Sequence, residues 1–272
     1  MLGVVEPVSM HRIQTIAGVF VLTLLLCIGT SWSFGQQPAE IQKMSKPRPK
    51  VIFFDVNETL LDLKSMQDSV GAALGGRNDL LPLWFLTMLH SSLVETATGK
   101  YHDFATIGTA ALMMVAESNG ITITEDKARA AIVGPLLSLP AHKDVKEGLE
   151  ALKSHGYTMV TLTNSSNTGV KRQMANADLT SYFVRNLSIE DIKTYKPFTK
   201  TYEWAAAEMG IKPDEALMVA AHGWDVAGAE AAGMQTAFIA RPGQVMFPLA
   251  NKPDYVVKDI KELADILDAL PK

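Results

Sequence analysis

The sequence predicts an α/β protein, a doubly wound parallel sheet with an inserted helical cap, and three observations carry that prediction. The apolar run Val51-Ile52-Phe53-Phe54 delivers a lone carboxylate, Asp55, into a polar turn, as a buried strand does at its carboxyl end. From Ser65 to about Leu139 the pattern changes to apolar residues at helical spacing. From Pro140 onward strands and helices alternate, and strands joined through helices of about ten residues imply right-handed crossovers into a parallel sheet. Residues 50–64 and 140–272 then make the core and residues 65–139 the cap. Such a sheet holds ligands outside the carboxyl ends of its strands, so what each strand delivers becomes the functional question.

The chain opens with residues 1–35, which read as a signal peptide. Ile13 to Ile28 is apolar except for Gln14, Thr15, Gly18 and Thr23, follows His11-Arg12, and exits through small residues, with Ser33 and Gly35 suiting cleavage. The run falls short of the roughly 20 residues of a comfortable membrane span. Export to the periplasm with no stable membrane association is therefore expected once the signal is removed, and a membrane anchor if it is not. Cys27, the only cysteine, lies in this segment, so the processed chain has no thiol to oxidise. Residues 36–49 carry three prolines and no apolar period, and read as a linker.

In the cap, Leu81, Trp84, Phe85, Met88 and Leu89, then Phe104, Ile107, Ala111, Leu112 and Val115, recur at helical spacing. Gly75-Gly76, Gly99 and Asn119-Gly120 divide it into four helices, the last opening at Thr124 with Glu125 and Asp126 in its first turn. In the core, helices are expected over 143–155, 167–175, 199–208, 225–232 and 260–270, and strands over 157–163, 216–221, 235–240 and 255–257. The stretch before Thr194 shows little regular period. The net charge of −4 with dispersed basic residues gives no footprint for a nucleic acid. An apolar cap face could support a homodimer.

The stretch from Phe53 to Leu63, with Asp55, Thr59 and Leu60 in its turn, resembles the first motif of the haloacid dehalogenase superfamily, as spelled in type II 2-haloacid dehalogenase-like hydrolases. The resemblance implies a Rossmann-like core in which Asp55 is the nucleophile and Thr59 orients it. Thr163-Asn164-Ser165-Ser166 starts a helix, where hydroxyls, an amide and free N–H groups make either an anion cradle or a simple cap. Thr163 and Asn164 match the second motif, which gives them the substrate carboxylate. Lys196 would by itself be a solvated surface group. Tyr195-Lys196-Pro197 matches the third motif, however, and implies an ammonium paired with Asp55 and Asp225, with Asp225 helping to position or activate the hydrolytic water, while Tyr202 matches a tyrosine of the dehalogenase pocket.

Val219-Ala220-Ala221-His222-Gly223-Trp224-Asp225 separates the chemistries. Phosphatases of the superfamily have Gly-Asp-x-x-x-Asp here, with both acids helping to hold Mg²⁺; this chain has Ala221 in the first place and keeps Asp225. They also place a general-acid Asp two residues beyond the nucleophile, where this chain has Asn57, an amide that cannot shuttle a proton. Halide leaving from carbon requires neither group. The resemblance therefore implies hydrolysis of a small 2-halocarboxylate through an aspartyl ester, with no metal and no cofactor, yielding a 2-hydroxy acid. A Mg²⁺-dependent phosphatase and a non-catalytic binding domain are the alternatives, the latter opposed by the cost of clustering these charges without use. Two departures stand out. His222 and Ala220 replace the Asn and Ser usual in these dehalogenases, and the cap has Trp84-Phe85 where they carry Trp-Arg, the guanidinium that receives halide. Trp84, Phe85 and His222 join Tyr202 in the expected substrate-binding set.

Overall fold

Residues 46–271 are described by the structure, a computed structural model. The expected signal peptide, Cys27 and most of the expected linker lie outside the described residues. The last linker residues lie on the core: Pro49 is buried, and the Arg48 guanidinium donates to the His155 carbonyl at 2.5 Å while lying 3.8 Å over the Tyr157 ring. Among the described residues no helix is long and apolar enough to cross a membrane.

The sheet is built on β1 (Val51–Phe54), whose four side chains are all apolar and buried. Burial on both faces is what a central strand of a parallel sheet requires. Val51 and Phe53 join one apolar layer with Tyr202, Ala205, Val226 and Ala229, while Ile52 and Phe54 join the other with Leu149, Leu263 and Leu267. The remaining strands are β2 (Thr158–Thr163), β3 (Arg185–Ser188), β4 (Ala216–Ala220), β5 (Gln235–Ile239) and β6 (Tyr255–Val257). All pairings are parallel and the order is β3-β2-β1-β4-β5-β6. The chain therefore builds outward in one direction from β1 to β3 and in the other from β4 to β6. That reversal leaves a crevice at the carboxyl ends of β1 and β4. Phe54 pairs with Thr161 on one side and Val219 on the other, so Asp55 emerges at the crevice.

One strand has no signal in the sequence. β3 falls in the stretch read as lacking a regular period, because Arg185-Asn186-Leu187-Ser188 contains a single apolar residue. It pairs only with β2, and an edge strand with polar side chains is a common defence against pairing with other chains.

The helices of the insertion are α1 (Gln67–Ala73), α2 (Leu81–Ala97), α3 (Phe104–Ser118) and α4 (Glu125–Leu137). Asp103 and Thr124 cap α3 and α4 by accepting backbone N–H groups, each contributing about 1 kcal/mol. The fully buried Trp84 donates its indole N–H to the Gly108 carbonyl at 2.8 Å, which fastens α2 to α3. The core helices are α5 (Val145–Ser154), α6 (Asn167–Asn176), α7 (Thr199–Glu208), α8 (Gly223–Ala231) and α9 (Ile260–Asp268). Gly156 and Gly233, just beyond α5 and α8, have φ of 79° and 87°, a conformation that ends a helix at little cost only for glycine. α8 starts two residues earlier than the sequence suggests, because the N–H groups of both Asp225 and Val226 bond to the His222 carbonyl at 3.1 Å. His222 is thereby the residue that precedes the helix, and Asp225 sits in its first turn.

The insertion and the core are tied by buried polar bonds. Tyr195, beside Lys196, donates from its hydroxyl to the His102 carbonyl at 2.6 Å, and its own N–H donates to Thr96 Oγ1 at 3.1 Å. On α6, Gln173 Nε2 donates to the Leu136 carbonyl and to Asn57 Oδ1, both at 2.9 Å.

Candidate active site

The turn after β1 holds the nucleophile candidate. The Asp55 N–H donates to the Val219 carbonyl at 3.0 Å, and the N–H groups of Leu60 and Leu61 both close onto the Val56 carbonyl at 3.0 Å. Glu58 takes φ +64°, a left-handed backbone that costs a residue with a Cβ about 1–2 kcal/mol. The turn holds it there: its N–H donates to the Leu61 carbonyl at 2.7 Å, and its carbonyl lies 3.0 Å from His142 Nε2. The outcome is a tight loop in which Asp55 and Glu58 both face the carboxyl end of β4.

Asp55 is almost wholly buried and has partners on both oxygens. Thr59 Oγ1 donates to Oδ2 at 2.7 Å, and Lys196 Nζ donates to Oδ1 at 2.8 Å. Thr59 is itself fixed, because its oxygen accepts the Ala221 N–H at 2.8 Å. All three ammonium protons of Lys196 are used: Asp55, Asp225 Oδ2 at 2.6 Å, and the Leu162 carbonyl at 3.0 Å. The Lys196 N–H donates to Asn164 Oδ1 at 3.1 Å, which sets where the side chain begins. Asp225 is closed on its other side by Tyr202, whose hydroxyl donates to Oδ1 at 2.5 Å. A lysine that is solvated by default has become the centre of a buried, fully bonded network.

The titration behaviour follows from this packing. Burial works against the charged form of Asp55, but the Lys196 ammonium and His222 outweigh it and hold the carboxyl far below the usual range. Burial, then the nearby Asp55 charge, push Asp225 up, against the pull of Lys196 and Tyr202. Lys196 is raised despite burial, by Asp225 and then Asp55. Burial, reinforced by Asp225, pushes the Tyr202 phenol well up.

His222 sits on the far side of Asp55. Its Nε2 is 2.7 Å from Glu58 Oε2 and its Nδ1 is 3.3 Å from Asp55 Oδ2, the latter too poorly aligned for a hydrogen bond. Its ring is stacked between Trp224, 5.0 Å away between centroids, and Phe85 of α2, 5.9 Å away. Burial opposes protonation, yet Asp55 and Glu58 together raise the imidazole to about 9.

Asp55, Thr59, Lys196, Asp225, Tyr202, His222 and Phe85 thus come together. Thr163 ends β2 beside them and Asn164 follows it, with Thr163 Oγ1 accepting the Ser165 N–H at 3.1 Å and Asn164 Nδ2 buried without a partner. Trp84 stands apart, committed to Gly108 within the insertion. Glu58 was not singled out by sequence reasoning; its charge lies three residues from Asp55 but gains meaning only through the positive φ that turns it toward His222.

The residues do not suit a Mg²⁺ ion. Ala221 supplies no oxygen from its side chain, and the carboxylates of Asp55 and Asp225 are each already bonded to the Lys196 ammonium. Among the described residues no group of three His, Cys, Asp or Glu side chains is arranged to hold a metal. An apolar hollow of about 250 Å³, lined by Leu86, Leu89, His90, Leu93, Pro197 and Trp224, reaches Lys196 from the insertion side.

Close packing behind Lys196 gives a sharp expectation. A Cβ on Gly228 of α8 would lie 2.5 Å from Pro197 Cβ, 2.6 Å from the Pro197 carbonyl oxygen and 2.8 Å from the Tyr202 hydroxyl. Gly228→Ala is therefore expected to lower stability by about 1–3 kcal/mol. It should also cut activity by displacing Lys196, with thermal unfolding and turnover measured on the same sample.

The family model of haloacid dehalogenase-like hydrolases matches residues 49–233. (S)-2-haloacid dehalogenase 1 of Pseudomonas sp. (strain CBS-3) is 31% identical over 189 residues, covering 69% of this chain and 83% of that protein. (S)-2-haloacid dehalogenase 4A of Burkholderia cepacia is 30% identical over 223 residues, 80% of this chain and 91% of that one. In fold, the chain is similar to the L-2-haloacid dehalogenase of Xanthobacter autotrophicus solved with chloropropionic acid covalently bound, with a TM-score of 0.77 at 23% identity over 82% of this chain and 100% of that chain.

Proposed function

We propose, since this chain belongs to the haloacid dehalogenase-like hydrolase family, that it hydrolyses the carbon–halide bond of a small 2-halocarboxylate through an ester on Asp55. The observation that carries the proposal is Asp55 itself: ionised, buried, and held by Thr59 on one oxygen and Lys196 on the other. A carboxylate kept charged in a water-poor site is a competent nucleophile toward carbon. In the first step an Asp55 oxygen attacks C2, the carbon–halogen bond breaks, and halide departs with the bonding pair. In the second, water attacks Cγ of the ester, the bond from Cγ to the substrate oxygen breaks, and a 2-hydroxy acid leaves.

Asn164 Nδ2, a buried donor with no partner, and the Thr163 hydroxyl are the groups offered to the substrate carboxylate. Lys196 lowers the cost of bringing an anion up to an anionic nucleophile. Phosphoryl transfer is disfavoured, since it relies on a metal to offset charge and on an acid for the leaving group, whereas Ala221 supplies no carboxylate and Asn57 is an amide that donates to Ser165 Oγ at 3.4 Å.

The test is halide release by the purified chain from each enantiomer of 2-chloropropionate and from chloroacetate. Release from at least one of them, undiminished by EDTA, is the expected result. No halide from any of them would overturn the haloacid reading, and phosphate release from an ester only with Mg²⁺ would replace it with the phosphatase.

A further inference from the structure

We infer that His222, oriented by Glu58, is the general base that activates water for hydrolysis of the Asp55 ester. This rests on the proposed function and gives His222 the proton transfer that the resemblance alone would leave to Asp225.

The geometry supplies the argument. A general base needs one ring nitrogen facing the reacting carboxyl group and the other held by an acceptor that fixes the tautomer. His222 has both: Nδ1 is 3.3 Å from Asp55 Oδ2 and has no hydrogen-bond partner, and Nε2 is 2.7 Å from Glu58 Oε2. In the neutral ring, Glu58 holds the proton on Nε2 and leaves Nδ1 bare toward Asp55. Phe85 and Trp224 both stack on the ring, which holds its plane. The other candidates are occupied, because Lys196 spends all its protons on acceptors and Asp225 is bonded on both oxygens. A role as halide acceptor fits less well. Displacement expels halide on the side of C2 opposite the attacking carboxylate, and His222 lies against that carboxylate, 3.3 Å from Oδ2.

The charges around the ring time its action. Asp55 and Glu58 face it from the β1 turn, Lys196 stands behind Asp55, Asp225 belongs to its own helix, and Phe85 from α2 brings no charge. While Asp55 is a carboxylate, the ring is held protonated. Esterification removes that charge, so burial is opposed by Glu58 alone and the ring yields its proton to solvent. The neutral ring then takes a proton from water as the hydroxide oxygen bonds to Cγ. On collapse, the bond from Cγ to the substrate oxygen breaks, and the departing alkoxide takes that proton from the imidazolium. Asp55 is left as a carboxylic acid, which ionises onto His222 and restores the starting pair. The one proton released per turnover is the one the ring gave up after the first step.

Two measurements decide the matter. In histidine NMR titrations, Asp55→Asn serves as a neutral stand-in for the ester, and the His222 midpoint is expected to fall by at least one pH unit relative to the unsubstituted chain. No fall would overturn the inference whatever the substrate. In rapid-quench experiments with 2-chloropropionate, His222→Gln is expected to release about one equivalent of halide and then stall with the substrate fragment on Asp55, detected by intact mass. Its steady turnover should drop about 10²–10⁴-fold, with Glu58→Gln between the two. Unimpaired steady turnover by His222→Gln would overturn the inference while leaving the dehalogenase reading intact. Absence of halide from the unsubstituted chain would instead sink that reading, and the NMR titration would still decide the pairing.

Discussion

Asp55→Asn is expected to reduce halide release by about 10⁴-fold or more, as loss of a nucleophile does when the rest of the site is intact. Fold and stability should be far less affected. The amide has the size of the carboxylic acid, can keep its oxygen toward Lys196 while its NH2 donates to the Thr59 hydroxyl, and leaves Lys196 bonded also to Asp225 and the Leu162 carbonyl. Circular dichroism and thermal unfolding beside a halide assay separate these effects: a variant that is folded and silent fits a covalent role, and one that turns over at more than a few per cent contradicts it. The pH dependence adds a sign that can be checked. Because the Asp55 carboxyl is held far below its usual range, it is charged throughout the working range. Its contribution to stability is present above the unfolded value of about 3.9 and fades only as pH falls through the folded value. His222 runs the other way. Raised to about 9, it stabilises fully below the unfolded value of about 6.5 and loses that contribution as pH climbs through about 9. Asp55→Asn should therefore weaken both the acid and the alkaline limbs of the stability profile.

The site was unevenly legible in the sequence, for physical reasons. β1 and β4 could be read because a strand buried on both faces has no polar alternation, and β2 because it ends in Thr163 at the crevice. β3 could not, since an edge strand needs little apolar surface. The order of motifs brought Asp55, Thr59, Lys196 and Asp225 into view, yet nothing local says that Lys196 spans two carboxylates 141 and 29 residues away in the chain. Glu58 and His222 were the hardest to read. Their pairing depends on a backbone angle that a glutamate seldom adopts and on α8 starting after His222, and neither leaves a periodic trace. Trp84 has a packing role that the motif does not announce, its indole N–H joining α2 to α3 while its ring lies against Phe85.

Lys196→Met carries the largest expected effect on stability. The ammonium is buried between Asp55 and Asp225, and its removal leaves the two carboxyl groups with no cation between them, His222 standing only on the far side of Asp55. Breaking a buried pair from one side costs about 3–5 kcal/mol, since the orphaned charge keeps its desolvation penalty. For a chain of this size that is a drop in Tm on the order of 10 °C. At least one carboxyl must take up a proton, so Asp55 should leave its depressed range and activity should be lost with it. Lys196→Arg is not expected to rescue, because a planar guanidinium does not present three protons from one point to Asp55, Asp225 and the Leu162 carbonyl. The double substitution Lys196→Met with Asp225→Asn separates folding from chemistry. Removing the second charge should restore much of the lost stability, with an interaction energy well away from zero. Activity should stay absent, since Asp55 would still lack the cation that keeps it ionised beside an incoming carboxylate. Recovery of both would mean that Lys196 serves the fold alone, and that Thr59 and His222 suffice to prepare the nucleophile.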